Sequence, residues 1–76
     1  MRLIPNYVVS SNIDCLAFEC DALYIRFKHG GTYRYDGVAF GVFDAMMKDE
    51  SVGKAFHALI KNKYPFVKLD TDPFKE

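Results

Sequence analysis

Apolar and polar residues change their period midway along the chain. From Ile13 to Phe18, Ile, Cys, Leu and Phe fall between polar residues, and Asp21 then suggests a turn. Leu23, Ile25 and Phe27 alternate with Tyr24, Arg26 and Lys28, the period of two expected of a strand with one buried face. Gly30-Gly31 supplies a reversal, because glycine accepts positive φ without a steric cost. Thr32 to Asp36 alternates again, with Tyr33 and Tyr35 on one face and Thr32, Arg34 and Asp36 on the other. Beyond them, Val42, Phe43, Met46 and Met47 recur at helical spacing. Asp49-Glu50-Ser51 interrupts that pattern. Ser51 is a suitable N-cap for a second helix, whose apolar stripe is Val52, Ala55, Phe56, Leu59 and Ile60. Tyr64-Pro65 ends this helix, since a residue before proline avoids the helical region. Residues 67–76 are polar and carry Pro73, which predicts an irregular tail.

The order strand, strand, strand, helix, helix predicts an α+β domain: a three-stranded antiparallel sheet followed by two short helices packed on one face. Its 76 residues fit one domain with one core. Half of them are hydrophobic and 16% are aromatic, which excludes a disordered chain. No run approaches the roughly 18 apolar residues of a membrane-spanning helix. The start lacks the apolar stretch of a secretory signal. A cytoplasmic location and no membrane partner are therefore expected. Cys15 and Cys20 are spaced C-x4-C, with His29 and His57 far apart in sequence, and no zinc motif has that pattern. Two reduced, mostly buried thiols are expected, with no metal and no cofactor.

The Gly30-Gly31 turn permits two registers with opposite consequences. A two-residue loop pairs Lys28 with Tyr33 and Arg26 with Tyr35. Both tyrosines then join Tyr24, Arg26 and Lys28 in a basic, aromatic platform of the kind single-stranded nucleic acids stack upon. A three-residue loop, His29-Gly30-Gly31, pairs Phe27 with Tyr33 and Ile25 with Tyr35, and places Arg26 opposite Arg34. The first register turns Arg34 into the core, which costs several kcal/mol for an unpaired charge. The second sets the aromatic rings against Leu23, Ile25 and Phe27, a gain of similar size. That comparison favours the three-residue loop. The opposed arginines it creates need a bridging carboxylate, such as Asp36, or a phosphate.

Ten basic residues balance ten acidic ones, which at face value disfavours a nucleic-acid partner. The distribution says otherwise. Residues 22–35 carry Arg26, Lys28 and Arg34 without an acid, and residues 51–68 carry Lys54, Lys61, Lys63 and Lys68 without an acid. On the second helix Lys54, His57 and Lys61 share one side, and the helix start offers backbone N–H groups at Ser51, Val52 and Gly53 to an anion.

Catalytic signatures are missing. Gly53-Lys54 lacks the preceding glycine of a P-loop and is followed by Ala55, and no Ser-His-Asp or Cys-His order stands out. The chain reads as a non-catalytic binding module. Its candidate nucleic-acid or anion contacts are Arg26, Lys28, Tyr33, Arg34, Tyr35, Ser51, Gly53, Lys54, His57 and Lys61. Two further readings are a protein-interaction module, or modulator of a host protein, using an edge strand or Phe40, Phe66 and Phe74, and a pocket for a small phosphorylated ligand at Ser51.

Ser10-Ser11-Asn12-Ile13, Leu23-Tyr24-Ile25-Arg26-Phe27, Tyr33-Arg34-Tyr35, Ser51-Val52-Gly53-Lys54-Ala55-Phe56 and Tyr64-Pro65 occur in that order. In this the chain resembles the KTSC domain, a module named after the C-terminal extension of some lysyl-tRNA synthetases that also occurs alone in bacterial and phage proteins. The resemblance spans roughly residues 8–66. It implies RNA binding as the usual suggestion for the family. The chain departs from the family pattern at Ala39-Phe40, where prolines are usual, and at His57 and Lys61, where Asn and Arg are common.

Overall fold

A computed structural model describes residues 3–74. The elements are β1 (Asn6–Tyr7), β2 (Ile13–Glu19), β3 (Ala22–Phe27), β4 (Gly31–Asp36), α1 (Phe40–Lys48), α2 (Val52–Leu59) and β5 (Phe66–Lys68). The five strands form one antiparallel sheet in the order β1-β2-β3-β4-β5, so every strand pairs with its sequence neighbour. The expected three strands are the centre of this sheet, and two short edge strands extend it. Both edges escape the hydrophobic pattern because they are held by backbone pairing, Asn6 opposite Leu16 and Tyr35 opposite Phe66, with little side-chain burial. Part of the tail predicted to be irregular is therefore strand.

The two helices cover one face of the sheet. Leu23 and Ile25 of β3, Tyr35 of β4 and Leu16 of β2 pack there against Met46, Val52, Ala55, Phe56 and Ile60. Ile13 joins them because the strand is irregular at Asp14: Ile13 pairs with Phe27, but Cys15 pairs with Arg26. The extra residue moves Cys15 and Ala17 to the opposite face and leaves the Asp14 carboxylate beside Arg26. The β2–β3 turn is Cys20-Asp21, both at positive φ (52° and 58°), the conformation that follows the twist of a two-residue hairpin.

The β3–β4 register puts both tyrosines on the helix face, as the burial cost of Arg34 requires. It is shifted by two residues from the expected pairing: Ile25 faces Tyr33 and Leu23 faces Tyr35. The loop is Lys28-His29-Gly30, and Gly31 begins β4 at φ +82°. Arg26 consequently lies opposite Thr32, and Arg34 opposite Tyr24, so the two arginines are not opposed. α2 ends at Leu59, short of Tyr64-Pro65, and Asn62 at φ 66° turns the chain back toward the sheet.

The second face is covered by the chain's own ends. Leu3, Leu69 and Phe74 pack against Cys15, Ala17, Ala22 and Tyr24. Leu3 N–H donates to the Pro73 carbonyl at 2.7 Å, and Leu69 N–H to the Thr32 carbonyl at 2.9 Å. Cys15 is buried as expected, whereas Cys20 is exposed at the turn.

Burial pushes the Cys15 thiol above its ordinary value of 9.0, with Arg26 opposing the shift, and pushes the Tyr35 hydroxyl above 10.0. In alkali the unfolded chain therefore gives up these protons before the folded one does. Their contribution to stability is complete below about pH 9 and is lost as pH rises through the raised folded values. Urea unfolding midpoints should be flat from about pH 7 to 8.5 and fall above that. Cys15→Ala should delay the onset of the fall, and an unchanged profile in that variant would exclude the thiol as its source.

Candidate nucleic-acid interface

The start of α2 is built by local capping. Ser51 Oγ accepts from Lys54 N–H at 3.2 Å, and Ser51 N–H donates to Asp49 Oδ1 at 2.9 Å. The Ser51 amide is thus occupied, contrary to expectation. The first-turn N–H groups of Val52 and Gly53 have no acceptor within the helix. Opposite them, the connection from β1 to β2 turns at Ser10, whose Oγ accepts from Asn12 N–H and Ile13 N–H, each at 3.2 Å. Lys28 N–H donates to the Asn12 carbonyl at 2.8 Å, which ties this connection to the β3–β4 loop. A Cβ on Gly53 would stand 3.3 Å from Ser10 Oγ, so glycine permits the close approach of helix and loop.

These three segments enclose a cavity of about 690 Å³ lined by Lys28, Ser51, Gly53, Lys54 and His57, with Ser10 and Asn12 on its other wall. A second cavity of about 320 Å³ adjoins it, lined by Phe27, Tyr33, His29 and Lys61. Asn12, Phe56 and His57 border both, so the two form one groove along α2. Among the described lining residues there is no carboxylate. The rings behind the second cavity form an edge-to-face chain, Phe27 against Tyr33 at 5.7 Å and against Phe56 at 5.6 Å.

The structure brings together Lys28, Tyr33, Ser51, Gly53, Lys54, His57 and Lys61 of the sequence-predicted set. It separates the remaining three. Tyr35 is 7% exposed and sits in the core between Phe56 and Phe66. Arg26 and Arg34 alternate with the core positions of β3 and β4 and so lie on the opposite face, Arg26 engaged by acids distant in sequence and Arg34 by its strand neighbour Asp36. Arg26 donates to Asp72 Oδ2 at 2.7 Å and to Asp14 Oδ2 at 2.8–2.9 Å, and its guanidinium lies 5.5 Å from the centre of the Phe74 ring. Arg34 Nε donates to Asp36 Oδ1 at 2.8 Å. The hydrogen bond to Asp72 holds the Arg26 pKa above its ordinary value against the cost of burial, with Asp14 adding to it. Asp36 does the same for Arg34. An acid-free stretch of sequence is not an acid-free surface, because Asp14 and Asp72 are folded onto this one and Asp36 borders it on β4.

Sequence reasoning missed Ser10, Asn12 and His29 as groove residues. Ser10-Ser11-Asn12 carries a local signal, a hydroxyl placed to accept amides two and three residues on. That signal marks a turn, and only the tertiary fold sets the turn against α2. Of the aromatic residues considered for protein contact, Phe40 and Phe66 are exposed and Phe74 is buried. No helix among the described residues is long and apolar enough to cross a membrane.

Residues 9–64 match the family model of the KTSC domain. The crystal structure of a KTSC domain protein from Yersinia pestis is similar to the chain with a TM-score of 0.83 and 32% identity, over 88% of this chain and 97% of that one. No curated protein shows significant similarity to the chain.

Proposed function

The chain belongs to the KTSC domain family, and we propose that it is a non-catalytic module that binds single-stranded RNA in the groove along α2. The observation that carries this reading is the convergence of Lys28, Lys54 and Lys61 on two adjoining cavities whose described lining holds no carboxylate. Arg26 and Arg34 are spent on intramolecular ion pairs. The groove lysines have no such partner among the described residues and face solvent. They offer charge to a phosphate backbone without first losing a salt bridge. The half-buried Tyr33 and the exposed His29 and His57 place rings beside them for a base to meet.

Binding of a short single-stranded RNA should weaken linearly on a log–log plot against salt. Three lysine–phosphate contacts give a slope of about −2, at roughly −0.7 for each phosphate on a single strand. Lys54→Ala should lower the slope by about 0.7 and weaken binding evenly across sequences. Arg34→Ala should leave both affinity and slope unchanged. A loss in Arg34→Ala as large as that in Lys54→Ala would move the interface to the other face of the sheet and defeat the assignment.

A further inference from the structure

We infer that the smaller cavity is a slot for one unpaired base and that Asn12 reads the edge of that base. The inference rests on the nucleic-acid reading of the groove and adds to it a division of labour. The larger cavity is cationic, with Lys28 and Lys54 across from each other on a loop and a helix. The smaller one is backed by Phe27, Tyr33 and Phe56, with Lys61 at its border to meet the next phosphate. A ligand that fills both must carry an anionic group directly beside a flat ring, which is the chemistry of a nucleotide within a strand.

Asn12 stands where the two cavities meet. Its backbone is pinned on both sides, the N–H to Ser10 Oγ and the carbonyl to Lys28 N–H. Its exposed carboxamide makes no hydrogen bond among the described residues. A fixed main chain thus presents a free donor and a free acceptor at the mouth of an aromatic slot. Single-stranded RNA is recognised in this way, through a splayed base stacked on rings and bonded along its edge. At about 320 Å³ the slot is about half the volume of the cationic cavity and lies at the small end of the range of ligand sites.

Fluorescence anisotropy with a labelled mixed-sequence RNA and the same strand made of abasic riboses tests the inference. The abasic strand should bind about ten-fold more weakly, the weight of one stacked and edge-bonded base. Asn12→Ala and Tyr33→Leu should each bring the intact strand toward the abasic affinity with no change of salt slope. Tyr33→Leu keeps apolar bulk on the sheet, and Asn12 is exposed, so folding is checked for both by their thermal transitions. Equal affinity for intact and abasic strands, or a preference that survives in both variants, overturns the base slot and leaves the cationic groove standing. Absence of binding by either strand at low salt overturns the groove reading together with it.

Discussion

Replacing Phe56 with alanine is expected to remove about 3–5 kcal/mol of folding stability, the usual range for a large aromatic side chain lost from a core. For 76 residues the total is on the order of 4–11 kcal/mol, so the loss takes between about a quarter and all of it. Phe56 is 4% exposed and joins the helix layer to the sheet. Its ring meets Phe27 and Tyr35 edge to face, both at 5.6 Å, and His57 at 5.5 Å. Each such pair adds about 0.5–1.5 kcal/mol to simple burial. The cavity left behind cannot collapse easily, because the neighbours are held by the sheet register on one side and by the helix on the other. Urea unfolding should show a much lower midpoint with little change in slope, since the surface exposed on unfolding is nearly the same. Phe56→Leu should lose only about 1–2 kcal/mol, because it retains most of the apolar volume. A loss below about 1 kcal/mol in the alanine variant would mean that the helix layer is not anchored through this ring.

The alternation of Leu23, Ile25 and Phe27 with Tyr24, Arg26 and Lys28 determines which residues face the helices, and it does so through energy. Any odd shift would bury Arg34 and expose the tyrosines. The same pattern is blind to a shift of two, because every side chain then keeps its face. The actual register depends on Gly31 taking its positive φ at the first position of β4 rather than inside the loop, and on the Asn12–Lys28 hydrogen bond, and the hydrophobic pattern specifies neither. The helix residues were legible for the opposite reason. The stripe Val52, Ala55, Phe56 and Ile60 has one period that both helix and core demand, and Leu59, also expected in it, is exposed at the edge of the helix.

Charge was legible in amount and illegible in place. Arg26 and Lys28 stand two residues apart in a segment free of acids. Arg26 is neutralised by Asp72, 46 residues away, while Lys28 reaches the groove. The difference arises from the bulge at Asp14 and from the return of the C-terminal segment across the sheet. Lys54 and His57 were grouped correctly because helical geometry places them on one side, whereas Lys61 lies past the end of α2 and borders the same groove from the turn that follows.

The return of that segment governs the second large effect. Phe74→Ala should cost about 3 kcal/mol and should expose Cys15. Phe74 is 8% exposed and closes the second face over Cys15, Ala17, Ala22 and Tyr24. It is held by its own N–H bond to Asp72 Oδ1 at 2.9 Å, while Asp72 also binds Arg26, which lies over the Phe74 ring. Ring, carboxylate and guanidinium therefore support one another. Without the ring, residues 69–74 keep the hydrogen bonds at Leu69 and Pro73, the packing of Leu69 and the Asp72–Arg26 ion pair, but lose the apolar contact that closes the face over Cys15. Local opening then competes with global unfolding. In a Cys20→Ser background, where the exposed thiol is gone, the folded protein should resist thiol reagents. Phe74→Ala should make Cys15 reactive under conditions in which circular dichroism still reports a folded chain. RNA affinity at the α2 groove should stay unchanged, because the ring lies across the sheet from Lys54. Unaltered Cys15 reactivity would show that the terminal segment is not what shields the second face. A parallel loss of RNA affinity would show that the two faces are coupled, and that the ion pairs of Arg26 do more than close the fold.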